Sequence, residues 1–251
     1  MDVPTLVAAL DEAGTTLADA AALAGLDAEV PSCPGWRVRD VLLHTGGVHR
    51  WATTFVATGR AEPLELVEPH DISDSLPGDT GLVAWFLEGH AALVGALRSA
   101  PESLECWTFL AAPNPLAHWA RRQAHETTVH RVDVELASGT PTKVGTDLAA
   151  DGIDELLTCF AVRSRKVSAD PARIVRVTAA DAGTHWTLRL TPGNRPTASK
   201  DEPGQPPDTV LRGSAEELYL ALWNRAPLAP LHVEGDDAVV AEWPRLLRVR
   251  W

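Results

Sequence analysis

The spacing of apolar residues changes beyond the linker at 168–173, and that change restricts the fold more than any other feature. From Val3 to about residue 163 they recur at helical intervals. Beyond the linker-like SADPAR at 168–173 they alternate one by one. Helices are expected over 3 to about 25, 37 to 58 after the Pro34-Gly35 turn, 80 to 97, 116 to 137, and 147 to 163. The first four are each long enough to span a bundle, and moderate loops join them, so a four-helix bundle is predicted. Residues 59–78, rich in Glu and Pro, read as loop. After the linker, RIVRVTAAD and THWTLRLT form a hairpin pattern closed by Asp181-Ala182-Gly183, and DTVLRG is a third strand. The intervening TPGNRPTASKDEPGQPPD reads as loop. Ser214 has the character of an N-cap, with Glu216 and Glu217 in the first turn of a helix reaching Trp223, and a last helix is expected over 236–247. The fold class is therefore α plus α+β, with a helical bundle over 1–166 and a small α+β domain over 167–251.

Composition narrows the function classes. With 22 basic and 34 acidic residues the net charge is −12, which argues against a protein that holds nucleic acid by its phosphates. Cys33, Cys106 and Cys159 are odd in number and far apart, so they make no disulfide framework and no Cys-x-x-Cys motif. They are read as core or loop residues, and a reducing, cytoplasmic setting is expected. The opening residues carry acids early and no basic region before an apolar core, unlike a secretory leader. No apolar run is read as approaching the ~20 residues of a membrane span, so no membrane partner is expected. Nine tryptophans stand against one tyrosine.

Chemistry concentrates in the fourth helical stretch, LAHWARRQAHETTVHRVDVELA. At about 100° per residue, Glu126 and His130 lie roughly 40° apart, on one stripe with Leu116, Trp119, Val134 and Ala137. Arg121, His125 and Glu135 fall opposite and are expected to face solvent. A carboxylate turned toward a core needs a partner, because burying a lone charge costs several kcal/mol. His125 and His130 are five apart, about 140° round the helix, which excludes the H-E-x-x-H zinc motif. In the second helix, DVLLHTGGVHRWATTF, His44 shares its stripe with Val41, Val48, Trp51 and Phe55, whereas His49 lies on the flank. His44, Glu126 and His130 would supply three ligands from facing helices and leave one position open, the arrangement of a catalytic zinc site. Two plainer readings stay open: a Glu–His surface pair joined by Arg122, and a core histidine at 44. Trp51 and Trp119, on the same stripes, are expected to wall the metal pocket.

The stretch VPSCPGWRVRDVLLHTGGVHRWA followed by ARRQAHETTVHRVDVELA resembles the mycothiol-dependent maleylpyruvate isomerase family. The later GSAEELYLALWNRAP is similar to that family's carboxy-terminal domain. The resemblance implies a DinB-like metal-binding bundle followed by a sterol carrier protein-like domain, with His44, Glu126 and His130 as metal ligands. It also implies an active-site arginine at Arg225, where a guanidinium would hold a substrate carboxylate; capping of a helix C-terminus is the other reading of that arginine. The family more often shows glycine where this chain has Asn224. Zinc and mycothiol are the implied cofactors, with an electrophilic small molecule as substrate, turned over by an isomerase or an S-transferase. Ionising a thiol of pKa ~8.5 at pH 7 gains only about 30-fold, so positioning is expected to contribute more. A zinc-dependent hydrolase and a non-catalytic binding or regulatory protein are the rival classes.

Overall fold

The computed structural model describes residues 1–66, 76–202 and 204–249. The middle of the expected 59–78 loop, Pro203 in the second expected loop, and residues 250–251 lie outside the described residues. The chain divides into two compact units, Met1–Thr142 and Lys143–Trp251.

The first unit is a bundle of α1 (Val3–Ala24), α2 (Val38–Thr58), α3 (Leu82–Ser99) and α4 (Pro115–Ser138). Its helix ends follow local chemistry. Asp2 caps α1 by accepting from the Thr5 N–H at 2.9 Å, and Asn114 caps α4 by accepting from the Ala117 N–H at 2.8 Å. Each such cap is worth about 1 kcal/mol. Gly59 and Gly139 end α2 and α4 in the left-handed conformation that only glycine adopts cheaply. In α1, Leu6, Leu10, Leu17 and Ala21 are buried at helical spacing, and this face packs on α4 and α3; α2 packs on the same two helices.

Two expectations are corrected here. His125 and Glu135 do not face solvent: α4 is buried at nearly every position from 116 to 135, with Arg121 partly exposed. Helix α4 is covered by more than one neighbour, so a single apolar stripe does not describe it. Asp79–Ser99 is also long and apolar enough to cross a membrane, with a mean hydropathy of 1.3, contrary to the expectation of no such run. In the bundle its Phe86, His90, Leu93 and Leu97 are buried.

The second unit begins with α5 (Thr146–Glu155), which continues through a π turn at Leu156–Phe160 and a 3₁₀ turn at Ala161–Arg163. The sequence places this segment in the first domain, ending at 166; the structure groups it with the second because it packs on α6 (Ala215–Leu222). The sheet comprises β1 (Arg173–Ala179), β2 (Thr184–Leu190), β3 (Thr197–Lys200), β4 (Thr209–Gly213) and β5 (His232–Gly235), in the order β3-β2-β1-β4-β5. Among the described residues only β1 and β4 pair in parallel. The expected hairpin, third strand and α6 are present, and Ser214 and Glu217 form a capping box. The last helix is α7 (Ala238–Leu246). The edge strands β3 and β5 were not expected; each has four residues, none of them buried, so neither shows an alternating pattern. Val175, Val177, Leu188 and Leu211 turn to one face, where Leu222, Val240 and Trp243 complete an apolar core.

Gly14 lets α1 approach α3: a Cβ there would overlap the imidazole of the buried His90. Gly14→Ala is therefore expected to cost about 1–3 kcal/mol, read as a lower melting temperature. An unchanged melting temperature would contradict this packing. Burial also pushes the imidazoles of His49, His90 and His118 below their ordinary value, His118 to about 3. The unfolded chain takes up these protons near pH 6.5 and the folded chain does not. Stability should be complete above pH 6.5 and fall below it, by at most about 1.4 kcal/mol per pH unit per histidine. Urea unfolding at pH 7 and pH 5 measures this, and equal stabilities would contradict it.

Candidate metal centre

Helices α2 and α4 bring His44, Glu126 and His130 together, each less than a tenth exposed, with one donor atom from each lying within 4.8 Å of the others. Nε2 of His44 is 3.3 Å from Oε1 of Glu126, and Nε2 of His130 is 3.2 Å from the same oxygen. Donors around a tetrahedral zinc, at about 2.0–2.2 Å from the ion, sit roughly 3.3 Å apart, so these separations fit the group. All three residues singled out from helical spacing are thus brought together.

The carboxylate is held from its other side as well. The Arg122 guanidinium donates to Oε2 at 3.3 Å, so the Arg122–Glu126 pair is internal rather than on the surface. Burial opposes ionisation of Glu126, but His130, His44 and Arg122 outweigh it and hold the carboxyl well below its ordinary range. Glu126 thus offers a carboxylate that its neighbours favour in the charged form.

His130 is supported by a further carboxylate. Its Nδ1 lies 2.9 Å from Oδ2 of the fully buried Asp133. Ser32 donates to the other Asp133 oxygen at 2.5 Å, and Cys33 Sγ is 3.4 Å from Oδ2. These contacts tie the turn before α2 to α4. They also place Trp36 over the site: its ring stacks on His130 at 6.2 Å and 9° and meets His44 edge-on at 5.3 Å.

Sequence reasoning missed Asp133, Ser32 and Trp36. Asp133 was within reach, since a carboxylate three residues after a histidine shares its helix face. Trp36 follows the Pro34-Gly35 turn, whose path no periodicity gives. The expectation that Trp51 and Trp119 wall the metal pocket is corrected. They belong to a cluster with Phe55, Trp107 and Phe109, ring centroids 5.0–6.4 Å apart. Trp51 lies seven residues from His44 and Trp119 seven from Glu126, about 10.5 Å along each helix. His49, read as a flank residue, is fully buried, with Nε2 2.8 Å from the Thr127 hydroxyl. Cys33, read as a core or loop residue, borders the centre.

Arg225 follows α6 in the second unit, and its guanidinium donates to the Trp223 carbonyl at 2.8 Å. The preceding Asn224 has φ 62°, a left-handed conformation that asparagine tolerates, so it can occupy a glycine position without redirecting the chain.

Fold and site together define a two-unit protein whose helical bundle presents a His–Glu–His donor set suited to a divalent metal. The sequence profile of the mycothiol maleylpyruvate isomerase N-terminal domain matches residues 7–135, and that of the corresponding C-terminal domain matches residues 147–242. The chain belongs to the mycothiol maleylpyruvate isomerase family. Among solved structures it is similar to a crystal structure of the mycothiol-dependent maleylpyruvate isomerase, with a TM-score of 0.63 at 13% identity over 90% of both chains. A crystal structure of a point mutant of that enzyme gives the same TM-score, identity and coverage. At this identity the likeness carries the fold. No curated protein sequence matches the chain.

Metal titration is expected to change tryptophan emission through Trp36. Trp36→Phe should abolish the change and Trp51→Phe should leave it intact; the opposite pattern would return the pocket wall to the Trp51 cluster.

Proposed function

We propose that this protein is a metal-dependent, thiol-using isomerase or S-transferase, with zinc as the metal and mycothiol as the thiol. Its substrate is an electrophilic small molecule, such as a maleylpyruvate-like unsaturated acid. One observation carries the reading: the buried donor set of His44, Glu126 and His130 lies in a domain matching the mycothiol maleylpyruvate isomerase profile. Three protein ligands leave zinc one position for a reactant. Bound there, the metal would supply a Lewis-acidic position at which a thiol gives up its proton at neutral pH.

The chain's own residues do the holding. Arg122 engages Oε2 of Glu126, which leaves Oε1 turned toward the two imidazoles. Trp36 covers one side of both rings and limits water there. A thiol held at that position would supply a nucleophile able to add reversibly to an activated double bond, so isomerisation would consume no thiol. An S-transferase would release the adduct instead. Arg225 is proposed to hold a substrate carboxylate in a bidentate fork. A cytoplasmic setting, with small molecules as the partners, accompanies this reading.

The test is an assay of the metal-loaded protein on maleylpyruvate, with and without mycothiol. Isomerisation is expected only with the thiol. Glu126→Ala and His130→Ala should lose both bound metal and turnover, whereas Arg225→Ala should keep the metal and raise KM. Turnover of a substrate without any thiol would favour a metal-dependent hydrolase, and a parent protein without stoichiometric metal would overturn the reading.

A further inference from the structure

Resting on the metal-site reading above, we propose that Asp133 is the positioning residue of this centre: through His130 it fixes which imidazole nitrogen is turned to the metal. Asp133 is 0% exposed, and its two oxygens meet the His130 ring nitrogen Nδ1 at 2.9 Å and the Ser32 hydroxyl at 2.5 Å. A carboxylate only accepts hydrogen bonds, so Nδ1 of His130 carries a hydrogen, and when the ring holds no second hydrogen Nε2 keeps the lone pair that a metal would take. Nε2 lies 3.2 Å from Oε1 of Glu126, which also only accepts. Two acceptors at this distance inside a protein repel unless a cation or a proton lies between them. A metal ion satisfies both at once, and a hydrogen on Nε2 would block it.

Position along the helix makes the arrangement self-contained. Asp133 follows His130 by three residues on α4, so both groups are presented by one rigid element. Ser32 and Cys33 hold the carboxylate from the turn before α2. Outer carboxylates of this kind typically change metal affinity by about 10–100-fold. Without the acceptor, Nδ1–H would be buried unpaired, and the hydrogen would move to Nε2, where Glu126 accepts it.

The test compares zinc affinity, by competition with a chelator, in the parent, Asp133→Asn and Asp133→Leu, together with the ring ¹⁵N spectrum of His130. An asparagine can still turn its amide oxygen to Nδ1, so Asp133→Asn is expected to weaken zinc about 10-fold and to keep the hydrogen on Nδ1. Asp133→Leu should weaken zinc about 100-fold and place the hydrogen on Nε2 in the metal-free protein. A purely structural role would lower the melting temperature without moving that hydrogen. Equal affinities in all three proteins overturn the proposal. So does a zinc-loaded parent whose His130 carries hydrogen on Nε2, a measurement that needs no variant to fold. A parent that binds zinc while its variants bind equally well refutes only the role of Asp133. A parent that binds no zinc refutes the centre and this role with it.

Discussion

A charged carboxylate at 3% exposure is the constraint on which the bundle's architecture depends. An unpaired buried charge costs several kcal/mol, so Glu126 requires its partners to be in place whenever the bundle is folded. Arg122 and His130 come from its own helix, one turn to either side, and His44 comes from α2. The last contact fixes how α2 lies against α4. With His44 opposite Glu126 and His130, the two helices run antiparallel, and seven residues further on Trp51 meets Trp119 at 5.2 Å. The polar centre and the aromatic cluster are two consequences of one helix register.

The same constraint explains why so much of α4 is polar yet internal. A helix packed on one side would put His125 and Glu135 into water. Here Glu135 instead accepts from the Thr142 hydroxyl at 2.9 Å and pairs with Arg131 at 3.5 Å. Not every interior polar group is answered, since both amide atoms of the buried Gln123 lack a hydrogen-bond partner among the described residues, but around Glu126 the answer is His44, His130 and Arg122. Formally, Glu126 and Asp133 bring two negative charges against one from Arg122, an excess suited to a cation when both imidazoles are neutral.

Helical spacing by itself makes His44, Glu126 and His130 legible, because inward direction on a helix is a matter of angle alone. The helices α1 to α4 are legible for the same reason, and so are the central strands β1, β2 and β4, whose alternation is strong. What periodicity does not give is contact between elements far apart in sequence. Trp36 reaches the centre from a turn, Ser32 meets Asp133 from 101 positions away, and Trp51 leaves the centre because the next two turns of α2 carry it off. Burial around α4 escapes because a single stripe presupposes a single covering neighbour. The short edges β3 and β5 carry too few residues for any pattern. The family's name adds a thiol and an unsaturated acid to this picture, but ligand residues specify a metal and not an electrophile.

X-ray absorption at the zinc edge tests the central claim most directly. The zinc-loaded protein is expected to show only nitrogen and oxygen neighbours, with the outer-shell pattern of two imidazoles. One sulfur neighbour at about 2.3 Å should appear when mycothiol is added. A sulfur neighbour before any thiol is present, which Cys33 would supply, or none after saturation with thiol, would contradict the account.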